Sequence, residues 1–267
     1  MPSFSTPAIL IRRIDHGDAD LILTFLTLEH GKMSSIAKNA KKSVKRFSGV
    51  LELFYVLDIV CNKGKGKLHV LKEASVRQPF INIRTDIEKT AYASYWAQLI
   101  YEWMEEGQKE ERVFGLFQKI LDFLDNKTLS PEVLSIVFQA KFLSISGIYP
   151  NFDQCGQCGR PFDKIIGDRL IFHLGKGCLI CGTCLSSQSE RDVLISRGAV
   201  KQLKWITEKP AEKIFRIRFS TQVQRESLSF LETFVPFHLG IRPKSLTFLK
   251  QLRAEKISEA KTIMKDR

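Results

Sequence analysis

The chain has 267 residues, which is enough for two domains that each bury a hydrophobic core. Its 44% hydrophobic and 26% charged residues are the composition of an ordinary soluble globular protein, and no apolar run approaches the ~18 residues of a membrane-spanning helix. The amino terminus lacks the pattern of a signal peptide. We therefore expect a cytoplasmic protein that neither spans a membrane nor is secreted.

The net charge of +12 is concentrated at the two ends of the chain. Residues 1–80 carry a net charge of +6 and residues 201–267 carry +8, whereas residues 81–200 carry −2. This distribution indicates a polyanionic partner, with nucleic acid favoured over anionic lipid. Charge alone fits a solvated basic surface without a partner equally well.

The first part of the chain has the pattern of β-strands. Five runs rich in β-branched and aromatic residues are separated by polar or glycine-containing turns, at residues 8–11, 21–28, 33–37, 51–61 and 68–76. Five short strands in so few residues predict a small closed barrel, because an open sheet would leave long edges without cover. Cys61 lies in one of the apolar runs and is expected to be a small core residue.

Two loops of this predicted barrel are basic. Residues 38–46 carry five positive charges and no acidic residue, and residues 63–67 alternate lysine with glycine. Lysines on loops can follow a phosphate chain without reading its sequence. Phe47 would supply a ring on which a base stacks, whereas Phe54 and Tyr55 are expected to straddle the sheet with at least one of them in the core.

From residue 82 the spacing of the apolar residues becomes helical. The spacing predicts helices at 84–106 and 110–124, and a third that begins at the N-cap Ser130 and stops at Gly147. Further helices are predicted at residues 189–206, 223–239 and 245–264, with a strand at 213–219. The change of period places the domain boundary within residues 77–82, which gives domains 1–80 and 81–267.

Five of the six cysteines lie between Cys155 and Cys184, in pairs separated by two residues. Such a pair reaches one ion across a tight turn, and two pairs complete a tetrahedral Cys₄ shell for Zn²⁺. A disulfide framework would require an oxidising compartment, and a redox Cys-x-x-Cys site would need only one pair. A closed Cys₄ shell has no open coordination position, so one structural zinc ion is expected in an insertion at about 150–188 with few apolar residues of its own.

The choice of the second pair is open between Cys178 with Cys181 and Cys181 with Cys184. The interval after Cys158 favours the first choice. The residues inside the turn favour the second, because Gly182-Thr183 suits a sharp bend while Leu179-Ile180 is typical of a strand. We prefer Cys155, Cys158, Cys181 and Cys184 as ligands, which leaves Cys178 as a spare thiol.

Catalytic motifs are missing from the sequence. The five histidines are scattered without a metal-ligand partner three or four residues away. There is no Gly-x-Ser-x-Gly elbow, zinc-protease helix, phosphate-binding Walker loop or dinucleotide fingerprint. We therefore expect a protein that binds rather than catalyses. A zinc-ribbon enzyme that processes nucleic acid, or a zinc-ribbon transcription regulator, is the alternative.

Taken together, the motifs resemble those of the bacterial recombination mediator family RecO, and they span nearly the whole chain. They are Asp18-x-Asp20-Leu-Ile-Leu-x-Phe25-x-Thr27-x-x-x-Gly31-Lys32, the basic run 37–42, Cys155-x-x-Cys158 and Gly-x-x-x-Cys181-x-x-Cys184. The resemblance implies an α+β protein in which a five-stranded OB-type β-barrel precedes an α-helical domain that carries the Cys₄ zinc knuckle.

The resemblance also implies a function in DNA repair and homologous recombination. Members of this family bind single- and double-stranded DNA, anneal strands, and work with RecR and the acidic tail of single-strand-binding protein to load recombinase in the RecF pathway. They act in the bacterial cytoplasm, at the nucleoid. The implied DNA contacts are Arg12, Arg13, Lys38, Lys41, Lys42, Lys45, Arg46, Lys63, Lys65 and Lys67. The tail would bind the helical domain, where the basic segment 242–253 suits an acidic peptide.

Overall fold

The computed structural model describes residues 3–43, 45–64, 68–126, 129–185, 189–209 and 218–265. The chain forms two compact units, the first made of Met1–Thr128 with Pro243–Arg267 and the second of Leu129–Arg242. Lys65, Lys67 and most of the predicted strand at 213–219 lie outside the described residues. None of the helices in the described part of the chain combines the length and apolar composition that a membrane crossing needs.

The first unit contains a closed five-stranded barrel, as predicted. Its strands are β1 (Ser3–His16), β2 (Asp20–Thr27), β3 (Gly31–Ala37), β4 (Val56–Asn62) and β5 (Leu68–Gln78). They follow the order β1-β2-β3-β5-β4, and β4 pairs back to β1 to close the barrel. The neighbours β3 and β5 run parallel while the other pairs are antiparallel. This arrangement confirms the OB-type barrel.

The first strand is much longer than its apolar run indicates. Its first half pairs with β4 and its second half with β2, and the register shifts between Leu10 and Arg12. The prediction that the first strand covers residues 8–11 and is followed by a polar turn that begins at Arg12 is therefore wrong. Both arginines lie within β1, where their side chains are exposed while their backbones pair with β2.

The interior of the barrel holds the apolar side chains that alternate along its strands, among them Leu23, Phe25 and Ile59. Cys61 is fully buried among them, as expected, and burial raises the pKa of its thiol to about 11. Phe47 is also part of this core and is only 4% exposed, so the prediction that its ring stacks on a base is wrong.

The fourth strand begins later than the apolar run, at Val56 rather than at residue 51. The chain turns before it, and Phe54 takes a positive φ of 71°. Phe54 and Tyr55 are 3% and 6% exposed, which confirms that they belong to the interior rather than to a binding surface.

Helices α1 (Ile81–Arg84), α2 (Ile87–Trp103) and α3 (Glu111–Asp125) complete the first unit together with α7 (Lys244–Lys265). The predicted helix 84–106 corresponds to α2 but is shorter at both ends. The carboxylate of Asp86 caps its amino end by accepting from the N–H groups of Glu88 and Lys89. Where α2 ends, Lys32 of β3 donates from its Nζ to the carbonyl of Tyr101 at 2.7 Å.

The second unit begins with α4 (Pro131–Ser146), whose Ser130 cap and Gly147 stop confirm the sequence prediction. A four-stranded sheet follows, made of β6 (Asn151–Cys155), β7 (Arg169–His173), β8 (Cys178–Ile180) and β9 (Asp192–Ser196) in the order β6-β8-β7-β9. Helices α5 (Arg197–Glu208) and α6 (Thr221–Leu239) complete this unit. The predicted helix 189–206 is wrong in its first half, because β9 pairs with β7 there and Ser196 then caps α5.

The sheet of the second unit has an apolar side of its own, contrary to expectation. Phe152 and Phe172 are fully buried and pack against each other with ring centroids 5.4 Å apart. Phe172 also contacts Phe230 and Phe234 of α6 at 4.9 and 5.6 Å. The sheet is therefore anchored to α6 by aromatic contacts as well as held by its cysteine turns.

Candidate metal centre and basic surface

The candidate metal centre lies where two strands of the second unit end. Cys155 is the last residue of β6 and Cys181 directly follows β8, while Cys158 and Cys184 lie in the turn after each. The four Sγ atoms lie within 4.8 Å of one another, so they could hold a metal ion. Sulfurs bound at ~2.3 Å around a tetrahedral zinc are about 3.8 Å apart, and the Sγ atoms of Cys158 and Cys181 are 3.7 Å apart.

The turns that carry these cysteines direct amide groups at sulfur. The N–H of Cys181 donates to the Sγ of Cys155 at 3.3 Å, and Gly159 adopts a φ of 70° where its turn closes. Burial by itself raises the pKa of Cys155, but N–H donation from Cys181, Cys158 and Gln157 outweighs it and lowers that pKa to about 6. Cys155 is therefore prepared to act as a thiolate ligand.

Four thiolates in one place repel one another. Contacts with the sulfurs of Cys158 and then Cys181 raise the pKa of Cys184 to about 12. The crowded group thus holds onto a proton, and a cation at its centre would supply the charge that lets all four sulfurs ionise. The donor set therefore fits a thiophilic metal ion such as Zn²⁺.

Cys178 lies in β8 and does not belong to this group of four. It is 6% exposed, and its side chain packs against Gly156, where an added Cβ would stand 2.1 Å from the Cys178 Sγ. Burial is the main cause that raises the pKa of its thiol. The structure thus brings together Cys155, Cys158, Cys181 and Cys184, the set that the turn residues Gly182-Thr183 favour. Binding of a metal by these cysteines stays a prediction.

The basic side chains of the barrel form a surface that we call the basic surface. Its described members are all exposed: Arg12, Arg13, Lys38, Lys41, Lys42, Lys45, Arg46 and Lys63. Most lie on β1 or on the segment between β3 and β4, which contains a short 3₁₀ turn at Ala40–Lys42, while Lys63 follows β4.

Some members of the basic surface are held by neighbours. Lys41 forms an ion pair with Asp15 at 3.2 Å and donates to the carbonyl of Gly17 at 2.9 Å. Arg13 lies 3.6 Å from a carboxylate oxygen of Glu52 and donates to the carbonyl of Leu51 at 3.0 Å. These cations are positioned by the barrel, and their charge is partly balanced.

The other arginines contact aromatic rings. The guanidinium of Arg12 lies 4.7 Å from the centre of the Tyr101 ring and donates to its hydroxyl group. Arg46 lies 5.0 Å from the centre of the Phe47 ring and donates to the carbonyl of Lys38 at 3.1 Å.

Four lysines of the basic surface have no ion-pair partner among the described residues. Over residues 3–43, 45–64 and the other described ranges, no carboxylate lies within ion-pair distance of the amino groups that end the side chains of Lys38, Lys42, Lys45 and Lys63. An exposed ammonium group without a partner is the type of side chain that neutralises a phosphate at little cost in lost contacts.

The aromatic rings that reach the barrel surface are not those that the sequence indicates. The ring of Phe4 in β1 lies 4.4 Å from the ring of His30 and 5.5 Å from that of His69. These residues come from separate parts of the chain, so no local spacing could have shown that they meet.

Comparisons with known proteins agree with this architecture. The profile described as Recombination protein O N terminal matches residues 1–80, and the one described as Recombination protein O C terminal matches residues 84–247. The chain is 42% identical to a DNA repair protein RecO of Desulfatibacillum aliphaticivorans, over 95% of this chain and 98% of the relative. The corresponding protein of Desulfosudis oleivorans is 37% identical over 95% and 99%, and that of Syntrophus aciditrophicus 33% over 93% and 95%. The chain therefore belongs to the RecO family of DNA repair and recombination proteins.

Proposed function

We propose that this member of the family mediates homologous recombination by binding single- and double-stranded DNA through phosphates, and that it carries out no catalysis of its own. The observation that carries this proposal is the set of exposed lysines on an OB-type barrel that have no ion-pair partner within the described part of the chain. The family membership of the chain supports the role in DNA repair and recombination.

The proposed mechanism is electrostatic. Lysines that neutralise phosphates release condensed counterions, so the affinity is nearly independent of base sequence and falls steeply with salt. Two strands held on one basic surface repel each other less and have a higher local concentration, which favours annealing. Bound DNA of this kind is the substrate onto which a recombinase is loaded.

The proposal is tested by replacing Lys38, Lys42 and Lys45 with alanine. We omit Lys41 because its ion pair with Asp15 gives it a structural role. We expect affinity for a mixed-sequence single strand at low salt to fall about 10- to 100-fold, because three phosphate contacts are lost. The slope of log K against log salt should become shallower by about 2, since each contact with a single strand contributes ~0.7. Fluorescence anisotropy across a salt series measures both quantities.

A matched control separates local contacts from net charge. The variant Lys164→Ala, Lys176→Ala, Lys201→Ala removes the same charge from exposed positions of the second unit. It should keep the wild-type slope. Equal loss in the two triple variants would contradict a localised binding surface, and undetectable binding by the wild type in dilute buffer would overturn the proposed function.

We further propose that the four clustered cysteines bind one structural Zn²⁺. The ion would cross-link the turn after β6 to the turn after β8, and a closed sulfur shell offers no position for a substrate. The support is the sulfur geometry and the amide donation to Cys155.

The ligand assignment is tested by comparing Cys178→Ala with Cys184→Ala. We expect the Cys178 variant to retain one zinc per chain, because its sulfur packs against Gly156 outside the group of four. The Cys184 variant should lose the metal or bind it far more weakly, since it has only three of the four thiolates. Metal content after dialysis gives the answer, and loss of zinc from the Cys178 variant alone would reverse the assignment.

The partners are assigned to different parts of the chain in this proposal. Residues 1–80 bind DNA, while residues 81–267 receive RecR and the acidic tail of single-strand-binding protein. The exposed, basic Lys244 and Lys250, which belong to the same unit, support a site for an acidic peptide. The protein would act in the bacterial cytoplasm, at the nucleoid.

A further inference from the structure

A cavity of about 500 Å³ opens beside β3 in the first unit. Its lining includes Phe4, His30, Met33, Lys63, His69 and Glu106. The volume is within the ~300–1,000 Å³ range of sites for small ligands. We call it the ring pocket, because three of its lining residues present aromatic rings.

The rings form one connected cluster. Phe4 is packed partly against the barrel core, and its ring meets those of His30 and His69 in edge-to-face geometry. Edge-to-face contacts fix the angle between rings without covering both faces of each. The pocket thus has apolar, planar surfaces that are held in place by the amino end of β1, the β2–β3 turn and the start of β5.

The opposite wall is preformed. Glu106, which follows α2, accepts hydrogen bonds from the backbone N–H and the hydroxyl group of Ser34 at 2.5 and 3.3 Å. The N–H of Gly107 donates to the carbonyl of Lys32 at 2.8 Å. These contacts dock the α2–α3 loop onto β3, so the pocket exists before any ligand arrives.

The charges in the pocket are balanced. Lys32 and Lys63 are opposed by Glu29 and Glu106 in the lining. Burial lowers the pKa of His69, so this imidazole stays neutral at physiological pH and offers both a donor and an acceptor. Balanced charge with flat apolar walls suits an uncharged aromatic ring with a hydrogen-bonding edge better than it suits a phosphate.

The position of the pocket relates it to the basic surface. The ring pocket lies at the start of β3 and the segment 38–46 lies at its end, so the two are separated by one strand of seven residues, roughly 20 Å. A single strand that follows β3 would cross both. OB-type barrels bind such strands over about 4–16 nucleotides along strands 2 and 3 and the β4–β5 loop, and Lys63 belongs to that loop.

We propose that the ring pocket accepts one unpaired nucleobase of a DNA strand whose phosphates contact the basic surface. This inference rests on the proposed function and deepens it. The phosphates supply affinity without regard to bases, and the pocket adds a stacking contact that double-stranded DNA cannot make while its bases are paired. The pocket therefore makes the barrel prefer unpaired strands.

The test compares two single strands of equal length and phosphate number, one of mixed sequence and one of tetrahydrofuran abasic units. We expect the wild type to bind the strand with bases about tenfold more tightly, the effect of stacking one base. The variant His30→Ala, His69→Ala should reduce this preference to within about twofold, with the salt slope unchanged. Phe4→Leu keeps the apolar packing and removes the ring, so it provides a second measurement if the histidine variant does not fold.

Two control variants distinguish a failure of the ring pocket as a base site from a failure of phosphate binding. His16→Ala, an exposed histidine outside the pocket, should keep the full preference, and the triple lysine variant should weaken both strands equally. Equal wild-type affinity for the two strands, or a preference that survives both pocket variants, would overturn the ring pocket as a base site while phosphate binding stands. Binding of neither strand would overturn the proposed function itself.

Discussion

Removal of the proposed zinc ion is expected to open the two cysteine turns of the second unit and to leave the barrel folded. Strand β6 pairs with β8 at only two positions, Asn151 with Cys178 and Cys155 with Leu179. The turns are otherwise joined by hydrogen bonds, among them those from the N–H of Gly156 to the carbonyl of Leu179 and from Arg160 to the hydroxyl group of Thr183. The rest of the sheet is anchored through Phe172, which packs against Phe230 of α6. We therefore expect a local rather than a global loss of structure.

The size of this effect follows from the strength of structural zinc sites. In isolated zinc-finger peptides, zinc binding contributes ~10–16 kcal/mol to folding. Here the aromatic contacts between the sheet and α6 remain when the metal is removed, so we expect a smaller loss of stability. We expect amide hydrogen exchange in residues 155–160 and 181–185 to accelerate about 1,000-fold after chelation, equivalent to ~4 kcal/mol of local stability. Exchange in β9 and α6 should change far less. Hydrogen exchange read by mass spectrometry resolves these segments.

Two comparisons make this result specific to the metal. Cys155→Ser should reproduce the effect of chelation, whereas Cys178→Ala, which leaves the four clustered sulfurs in place, should not. The salt slope of DNA binding should be unaffected by chelation. Unchanged exchange in the cysteine turns would refute a metal cross-link, and lost protection in β1–β5 would refute the independence of the barrel.

The barrel could be predicted from sequence because its strands alternate and its turns contain glycine, but the ends of those strands could not. Arg12 and Arg13 read as the start of a loop, yet their backbones pair with β2 while their side chains remain in water. An exposed polar residue is compatible with a strand as well as with a loop. Only the presence of a neighbouring strand with which its backbone can pair determines which of the two forms. The burial of Phe47 could not be predicted for a related reason. Its neighbours in the sequence are basic, whereas its contacts with the barrel interior are with residues far away in the chain.

The group of four cysteines could be predicted because two cysteines separated by two residues lie on one tight turn, which is a local constraint. In the structure β8 contains Cys178, so that Cys184 and not Cys178 belongs to the group of four cysteines, while ligation itself stays a prediction. The five residues of β9 were too few to distinguish a strand from the first turn of a helix. The ring pocket was invisible because Phe4, His30 and His69 meet only after the barrel closes.

Substitution of Gly31 by alanine is expected to destabilise the first unit strongly. The sequence marks this glycine as a turn residue, and its φ of 67° agrees. The structure adds a second constraint, because a Cβ at this position would lie 1.8 Å from the carbonyl oxygen of Gln108. That oxygen belongs to the backbone of the α2–α3 loop, which Gly107 fastens to β3 by its hydrogen bond to Lys32, so it cannot rotate away as a side chain would.

We expect Gly31→Ala to lower the free energy of unfolding of the first unit by about 3 kcal/mol, the sum of a left-handed backbone and a displaced loop. Gly17→Ala is the matched control, because Gly17 has a φ of 56° with nothing within 4 Å of an added Cβ, and it should cost about 1 kcal/mol. Urea unfolding in a Trp205→Phe background reports on this unit alone, since Trp96 and Trp103 both lie in α2. Equal losses of unfolding free energy in the two variants would mean that the left-handed backbone conformation alone accounts for the effect at Gly31. The α2–α3 loop that lines the ring pocket would then move aside at no cost.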